Sequence, residues 1–247
     1  MTQRLFLLAP DEWGSAGVGD VVVVTGPEAR HAVQVVRLAV GETVLVADGA
    51  GRRSTGEVVG ATPDELSVRL GQVEVVPERR PRFVLVQGLA KGDRDEQAVE
   101  AATELGVDVV VPWQSERSIV QWRGEKEQRG RARWESIVAA AAKQSRRARV
   151  PKIEPLVRMS GVRQRLEGAA LALVLHEEAT AALAGVELPA DGDVVLVVGP
   201  EGGITPAELA TFAEVGAQTV RLGAEVLRSS TAGPAALAVL NALGRWR

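Results

Sequence analysis

Two hydrophobic periodicities divide this chain. Over residues 1–76 the apolar positions come in short runs, at Val21–Val24, Thr43–Ala47, Gly56–Val59 and Leu66–Leu70. Turn signals such as Asp48-Gly49 and Thr62-Pro63-Asp64 separate them, the pattern of short strands joined by tight connections. One helical stretch, Ala29–Leu38, interrupts the series. Several short strands in so few residues predict a small β-barrel. The polar segment Pro77-Glu-Arg-Arg-Pro81, framed by prolines, marks a boundary and divides the chain into domains at 1–76 and 77–247.

From Arg82 onward the period changes. Phe83–Gln87, Val107–Val111, Leu171–Leu175, Val194–Val198 and Thr219–Leu222 are near-continuous apolar runs, as strands covered on both faces require. Helical patterns lie between or after them at Asp95–Leu105, Ala132–Arg147, Pro206–Val215 and Thr231–Leu243. This alternation predicts an α/β domain with a mostly parallel sheet. The last helical stretch is apolar beyond what one covered face needs (Ala235 to Leu240), so it is deeply buried or partnered.

Composition narrows the chemistry. The chain of 247 residues is long enough for a sizeable core and carries no apolar run near the length of a membrane span. The first residues, with a short apolar run and an acidic continuation, do not read as a signal peptide, so a cytoplasmic location is expected. With no cysteine there is no thiolate nucleophile, disulfide or cysteine-ligated zinc. Only His31 and His176 are present and no compact acidic cluster occurs, so no metal site is expected.

The net charge of −3 argues against indiscriminate nucleic-acid binding. Locally the balance reverses: Lys126 to Lys152 holds nine Lys/Arg (126, 129, 131, 133, 143, 146, 147, 149, 152) against Glu127 and Glu135. Such a run is either a solvated helix face or a phosphate-binding surface. Trp122 and Trp134 beside it fit core packing better than base stacking.

The sharpest local signal is Val194–Val198 followed by Gly199-Pro-Glu-Gly-Gly-Ile-Thr205. Thr205 suits an N-cap, Pro206 the first helical position, and Glu208 completes a capping box. Gly202 and Gly203 permit left-handed dihedrals or a close ligand. In open α/β sheets ligands bind where such a loop sits, at the carboxyl ends of strands. A ligand loop and a tight structural turn both remain open. The glycine spacing fits neither the dinucleotide fingerprint nor the phosphate-binding loop, and no nucleophile elbow occurs. A second strand end, Leu222 to Ala232, presents Arg228 ahead of three hydroxyl residues that can cap the following helix. A third, Leu175-His-Glu-Glu178, places His176 as a structural or a catalytic group.

Taken together, GPEGGIT at 199–205, LGAEVLRSSTA at 222–232 and LHEE at 175–178 resemble the three cofactor loops of the SPOUT methyltransferases. More narrowly they resemble the ribosomal RNA small subunit methyltransferase E (RsmE) family. Lys91-Gly-Asp-Arg94, Ala102-Thr-Glu-Leu-Gly106, Ser115-Glu-Arg-Ser118, Ala142-Lys-Gln-Ser-Arg146, Arg30-His31 and Val36-Arg37-Leu38 extend the likeness over essentially the whole chain. The family commonly carries an acidic residue where Ser230 stands. Gly233-Pro234 replaces its alanine-rich helix start, and Pro234 is expected in the first turn.

The resemblance implies an N-terminal PUA-like β-barrel, a C-terminal SPOUT α/β domain with a trefoil knot, and a homodimer. It implies S-adenosyl-L-methionine as cofactor and methylation of N3 of a uridine in small-subunit ribosomal RNA. Cofactor contacts then fall to Leu175, His176, Gly199, Pro200, Glu201, Gly202, Gly203, Leu222, Gly223, Val226, Leu227, Arg228, Thr231 and Ala232. RNA contacts fall to Arg30, His31, Arg37, Lys91, Arg117, Lys143, Gln144, Arg146 and Arg147. A ring nitrogen needs no covalent activation, in keeping with the missing cysteine; it needs loss of its proton, an in-line donor and stabilised carbonyl charge. Arg228 suits the last task, and Glu201 suits accepting the proton or orienting the base. An assembled or partly assembled 30S subunit is the expected partner, with no membrane. The competing readings are a non-enzymatic RNA-binding or ribosome-assembly module and a methyltransferase with another RNA target.

Overall fold

The structure, a computed structural model, describes residues 3–246; Met1, Thr2 and Arg247 lie outside the described residues. The chain separates into two compact units, one of residues up to Glu78 with Ala142–Val150, the other of Arg79–Ala141 and residues from Pro151 onward.

The first unit contains β1 (Leu5–Leu7), α1 (Pro10–Trp13), β2 (Val21–Thr25), α2 (Gly26–Arg30), β3 (Thr43–Ala47), β4 (Arg52–Ala61) and β5 (Glu65–Val75). They form one five-stranded sheet in the order β1-β3-β4-β5-β2, curled into a half-barrel. All pairs are antiparallel except β1 with β3. Alternate residues of the strands point inward, and Val22, Val24, Val44, Val46, Val58, Leu66 and Val68 close over Phe6 and Trp13. The helix expected over Ala29–Leu38 starts earlier, at Gly26, and passes into a π-turn over His31–Val35. It stops where Arg37 turns left-handed, at φ 61. The return of residues 142–150 to this unit is not contained in a division at 76 and 77. It rests on backbone bonds from Gly51 N–H to Ala148 and from Val150 N–H to Gly49, with Lys143 Nζ 2.7 Å from Glu28.

The second unit follows the order β6 (Arg82–Gly88), α3 (Arg94–Glu104), β7 (Val109–Trp113), α4 (Glu125–Gln144), β8 (Lys152–Ile153), α5 (Met159–Glu167), β9 (Leu171–Leu175), β10 (Ala181–Ala182), β11 (Asp193–Val198), α6 (Pro206–Glu214), β12 (Gln218–Arg221) and α7 (Ser229–Leu243). Its seven strands lie in the order β10-β12-β9-β11-β6-β7-β8, every pair parallel. One face carries Val84, Val86, Val174, Val195 and Val197 against Val162 and Leu166 of α5 and Phe212 of α6. α3 and α7 pack on each other and on β6. Helices on both sides explain the unbroken apolar runs of the strands.

Several elements depart from the sequence pattern. β7 begins at Val109 because Val107 N–H bonds back to Ala102, and Asp108 Oδ2 accepts from Phe83 N–H of β6. α4 begins seven residues ahead of Ala132; its polar first turns hold good helix formers and the i,i+4 pairs Arg129–Glu125 and Arg131–Glu135. Trp122 and Trp134 are buried and meet edge to face at 5.3 Å, which makes them core residues. α7 starts at Ser229, so Pro234 falls in its second turn and not its first. A proline there has no N–H to return to the carbonyl of Ser230. The glycine before it lets the helix approach the sheet: a Cβ at Gly233 would lie 3.2 Å from Leu85 Cδ1.

Beyond α7, Arg245 closes the amino edge of this sheet. Its guanidinium lies 3.7 Å over the Phe83 ring, bonds the Gly106 carbonyl at 2.8 Å and pairs with Asp108, with both charged side chains largely buried. Removing one partner of such a pair leaves a buried charge uncompensated. Asp108→Ala is therefore expected to lower unfolding stability by about 3–5 kcal/mol, measured by equilibrium urea denaturation. A loss under about 1 kcal/mol would rank the pair with surface salt bridges.

Candidate active site

Because every strand of the second unit points the same way, the loops after β6, β7, β9, β11 and β12 leave from one edge. There they enclose an open cleft of about 670 Å³, lined by Leu175–Glu178, Val198–Ile204 and Val220–Ser229, with Arg94, Arg117, Pro206, Leu209 and Ala232. The residues expected to hold a cofactor all line it except Thr231. That side chain sits in the first turn of α7, its Oγ1 donating to the Arg228 carbonyl at 3.2 Å. The three hydroxyl residues after Arg228 thus lie within the helix and not ahead of it, and Arg228 itself stands at the N-cap.

The glycines of the turn after β11 answer separate steric demands. Gly203 has φ +74, a conformation costly for residues with a Cβ, and its N–H closes the turn onto the Pro200 carbonyl at 2.9 Å. A Cβ at Gly202 would stand 2.9 Å from Arg117 Cβ, so this glycine admits the loop after β7.

The capping box read from the sequence is present and does more than cap α6. Glu208 N–H donates to Thr205 Oγ1 at 3.2 Å, and Thr205 N–H donates to Glu208 Oε2 at 2.8 Å. The other carboxylate oxygen of Glu208, a residue only 2% exposed, accepts from Glu116 N–H at 2.9 Å. Thr205 Oγ1 also donates to Glu116 Oε2 at 3.0 Å. One buried carboxylate therefore ties the loop after β7 to the glycine turn, and Arg117, next in the chain, bonds the Gly202 carbonyl at 3.0 Å.

The charged groups are unequally engaged. Glu201 Oε1 accepts from Lys91 N–H at 2.8 Å and from Arg94 Nη1 at 3.0 Å. Partial burial alone would raise its pKa. The backbone N–H groups of Glu201 and Lys91 and the Arg94 guanidinium outweigh that and hold the carboxyl below the ordinary value of 4.5. Its contribution to stability is present above 4.5 and is lost as the pH falls through the lower folded value. Arg228, in contrast, lines the cleft with no carboxylate within ion-pair reach among the described residues. His176 Nδ1 accepts from Glu178 N–H at 3.3 Å, which places the proton of the neutral ring on Nε2.

Two further groups were not singled out from the sequence. Arg94 is the last residue of the Lys91-Gly-Asp-Arg94 motif, whose spacing did not reveal that it reaches Glu201. Ser229 Oγ is buried in the wall of the cleft without a hydrogen-bond partner. Its neighbouring hydroxyls suggested only a cap.

The residues expected to touch RNA are spread over both units. In the second, Lys91 is exposed and Arg117 lines the cleft. In the first, Arg30 pairs loosely with Asp64 at 3.5 Å, while His31 and Arg37 are exposed around the π-turn. Gln144 and Arg146 are exposed, Arg147 is half-buried, and Lys143 is held by Glu28. The charge excess of the 126–152 stretch is smaller in the fold than in the sequence. Glu125, Glu96, Glu28, Glu78 and Glu154, all outside the stretch, pair with Arg129, Arg133, Lys143, Arg149 and Lys152.

The two units and the cleft belong to an RNA methyltransferase. A family model described as an RNA methyltransferase domain matches residues 77–241, and one described as an RNA methyltransferase PUA domain matches 24–71. A ribosomal RNA small subunit methyltransferase E from Mycobacterium bovis is 42% identical over 233 residues, covering 92% of this chain and 89% of the relative. The crystal structure of a ribosomal RNA small subunit methyltransferase E from Neisseria gonorrhoeae bound to S-adenosyl methionine superposes with a TM-score of 0.86, at 28% identity and 98% of each chain. A methyltransferase from Legionella pneumophila in complex with SAM gives 0.87 at 26% identity, again over 98% of each chain. The chain belongs to the ribosomal RNA small subunit methyltransferase E family.

The buried carboxylate network can be tested by graded loss. Thr205→Ala removes one cap and is expected to cost about 1 kcal/mol. Glu208→Ala also strands the N–H groups of Thr205 and Glu116 and is expected to cost about 3 kcal/mol. Equal losses in urea denaturation would mean that the Glu208 carboxylate adds nothing to the bonds made by the Thr205 hydroxyl.

Proposed function

We propose that the protein transfers the methyl group of S-adenosyl-L-methionine to N3 of a uridine in small-subunit ribosomal RNA. The observation that carries this reading is the convergence of three strand-end loops, after β9, β11 and β12, on one cleft. The cleft suits the cofactor: its volume lies within the roughly 300–1,000 Å³ of small-molecule sites. Its glycine turn forms part of the wall, where a ligand can come close to the backbone. The two solved relatives that hold SAM support the same ligand.

When bound, S-adenosyl-L-methionine supplies an electrophilic methyl group for the uracil nitrogen as that nitrogen loses its proton. Main-chain groups of Leu175–His176, Gly199–Gly203 and Leu222–Ala232 hold the cofactor. Arg228, unpaired in the cleft, faces the uracil carbonyls and stabilises the charge that develops on them. The unit at 1–76 docks RNA through Arg30, His31 and Arg37, while Lys91, Arg117, Gln144, Arg146 and Arg147 contact phosphates. The unit at 77–247 carries the family's trefoil knot and pairs with a second copy in the cytoplasm. What supports the pairing is the face of α7 turned from its buried side, where Ala235, Ala238, Val239 and Leu243 are only half-buried. The expected substrate is an assembled or partly assembled 30S particle, which presents the base on a rigid surface and lowers the cost of ordering it.

Methyl transfer to hypomethylated subunits and to the RNA extracted from them, with mass mapping of the product, tests the whole reading. N3-methyluridine should appear, and faster on the subunits; a product methylated elsewhere would refute the uridine-N3 assignment. Gly203→Val should abolish cofactor binding in calorimetry while circular dichroism stays unchanged, and undiminished affinity would remove the glycine turn from the site. Arg146→Glu with Arg147→Glu should weaken RNA binding and flatten its salt dependence by about two counterions, with cofactor affinity unchanged. An unaltered RNA affinity would place the contact surface elsewhere.

A further inference from the structure

We infer that Glu201 is a positioning residue that fixes the Lys91–Arg94 loop against the glycine turn, so that the two cations of that loop face the RNA, and that it does not take the substrate proton. This rests on the uridine-N3 reading of the cleft.

Two independent observations carry it. First, one oxygen of Glu201 is engaged twice, by the Lys91 amide at 2.8 Å and by Arg94 Nη1 at 3.0 Å. Its bonding therefore runs along the rim, from the loop after β11 to the loop after β6. A carboxylate stabilised in this way is a weakened base. Second, the loop it grips is strained. Gly92 and Asp93 are consecutive left-handed residues, at φ 62 and φ 58. A non-glycine residue in that region costs on the order of 1 kcal/mol and persists only where the surroundings over-determine it. Here they do so from two sides. Asp95, 6% exposed, accepts from the Ala90 amide at 3.1 Å behind the loop, and Glu201 holds it from across the rim.

The strained turn keeps Lys91 exposed and Arg94 in the lining of the cleft, without using either as a proton carrier. The other charged or titratable groups lining the cleft are Arg117, His176, Glu177, Glu178, Arg221, Glu225 and Arg228. None of these is paired with Glu201, so the coupling of Glu201 to the loop is specific.

Four variants separate a positioning role from a base: Glu201→Ala, Glu201→Gln, Arg94→Ala, and Arg94→Ala combined with Glu201→Ala. Hydrogen exchange of the Lys91 amide reads the coupling directly, without cofactor or RNA. Exchange should rise roughly tenfold in Glu201→Ala and stay slow in Glu201→Gln, whose amide oxygen still accepts the bond. In methyl transfer, Glu201→Ala should raise KM for RNA roughly tenfold, and the alanine effects at 94 and 201 should combine less than additively. Glu201→Gln should recover most of that loss, with the acid limb of the kcat–pH profile unmoved. Unchanged Lys91 exchange in Glu201→Ala would overturn the inference. So would a Glu201→Gln enzyme as inactive as the alanine variant and revived only at raised pH. Should the wild-type protein methylate no uridine, the proposed function fails; the exchange comparison alone then supports or overturns the coupling.

Discussion

Parallel pairing of all seven strands is the constraint on which the second unit depends. Parallel neighbours cannot be joined by hairpins, so each return crosses a face of the sheet, and the carboxyl ends of all strands gather at one edge. The faces are thereby buried under helices, which explains strands as uniformly apolar as Val194–Val198. The edge receives everything else. Loops that lie far apart in sequence, near residues 91, 117, 176, 201 and 228, meet there because the strands before them run in register.

That edge would be loose without carboxylates acting as struts. Glu208 holds the turn before α6 and the backbone of Glu116 at once. Glu201 holds the loop after β6, and Asp95 supports that loop from behind. Each accepts backbone N–H groups that the turns leave without partners, which offsets the cost of placing a carboxylate at least partly out of water. Arg228 lines the same cleft without an ion pair among the described residues.

The first unit solves a different problem. A curled sheet of five strands buries a small core, and its local irregularities fall where a cationic segment is displayed. The π-turn at His31–Val35 and the left-handed Arg37 interrupt the helix and leave both side chains in solvent. Such turns cost helical hydrogen-bond quality and recur at functional positions.

Much of this was legible in the residues alone. Strand runs such as Thr43–Ala47 and Leu171–Leu175 matched the fold because apolar periodicity is set locally by burial. The Thr205–Glu208 cap was legible because its partners lie three residues apart, and the glycine turn because a left-handed residue has few substitutes for glycine. The helix starts of α4 and α7 were misplaced because polar or hydroxyl residues begin a helix as readily as they precede one. Only the tertiary structure decided which charges are free. The basic stretch lost much of its excess to glutamates outside it, some of them far away in sequence such as Glu28 and Glu96, Glu201 turned out to be bound by Arg94, and Ser229 Oγ was buried without a partner. The longest of these contacts join residues up to 115 positions apart, which the composition of the chain implies nothing about and only the packing of the elements fixes.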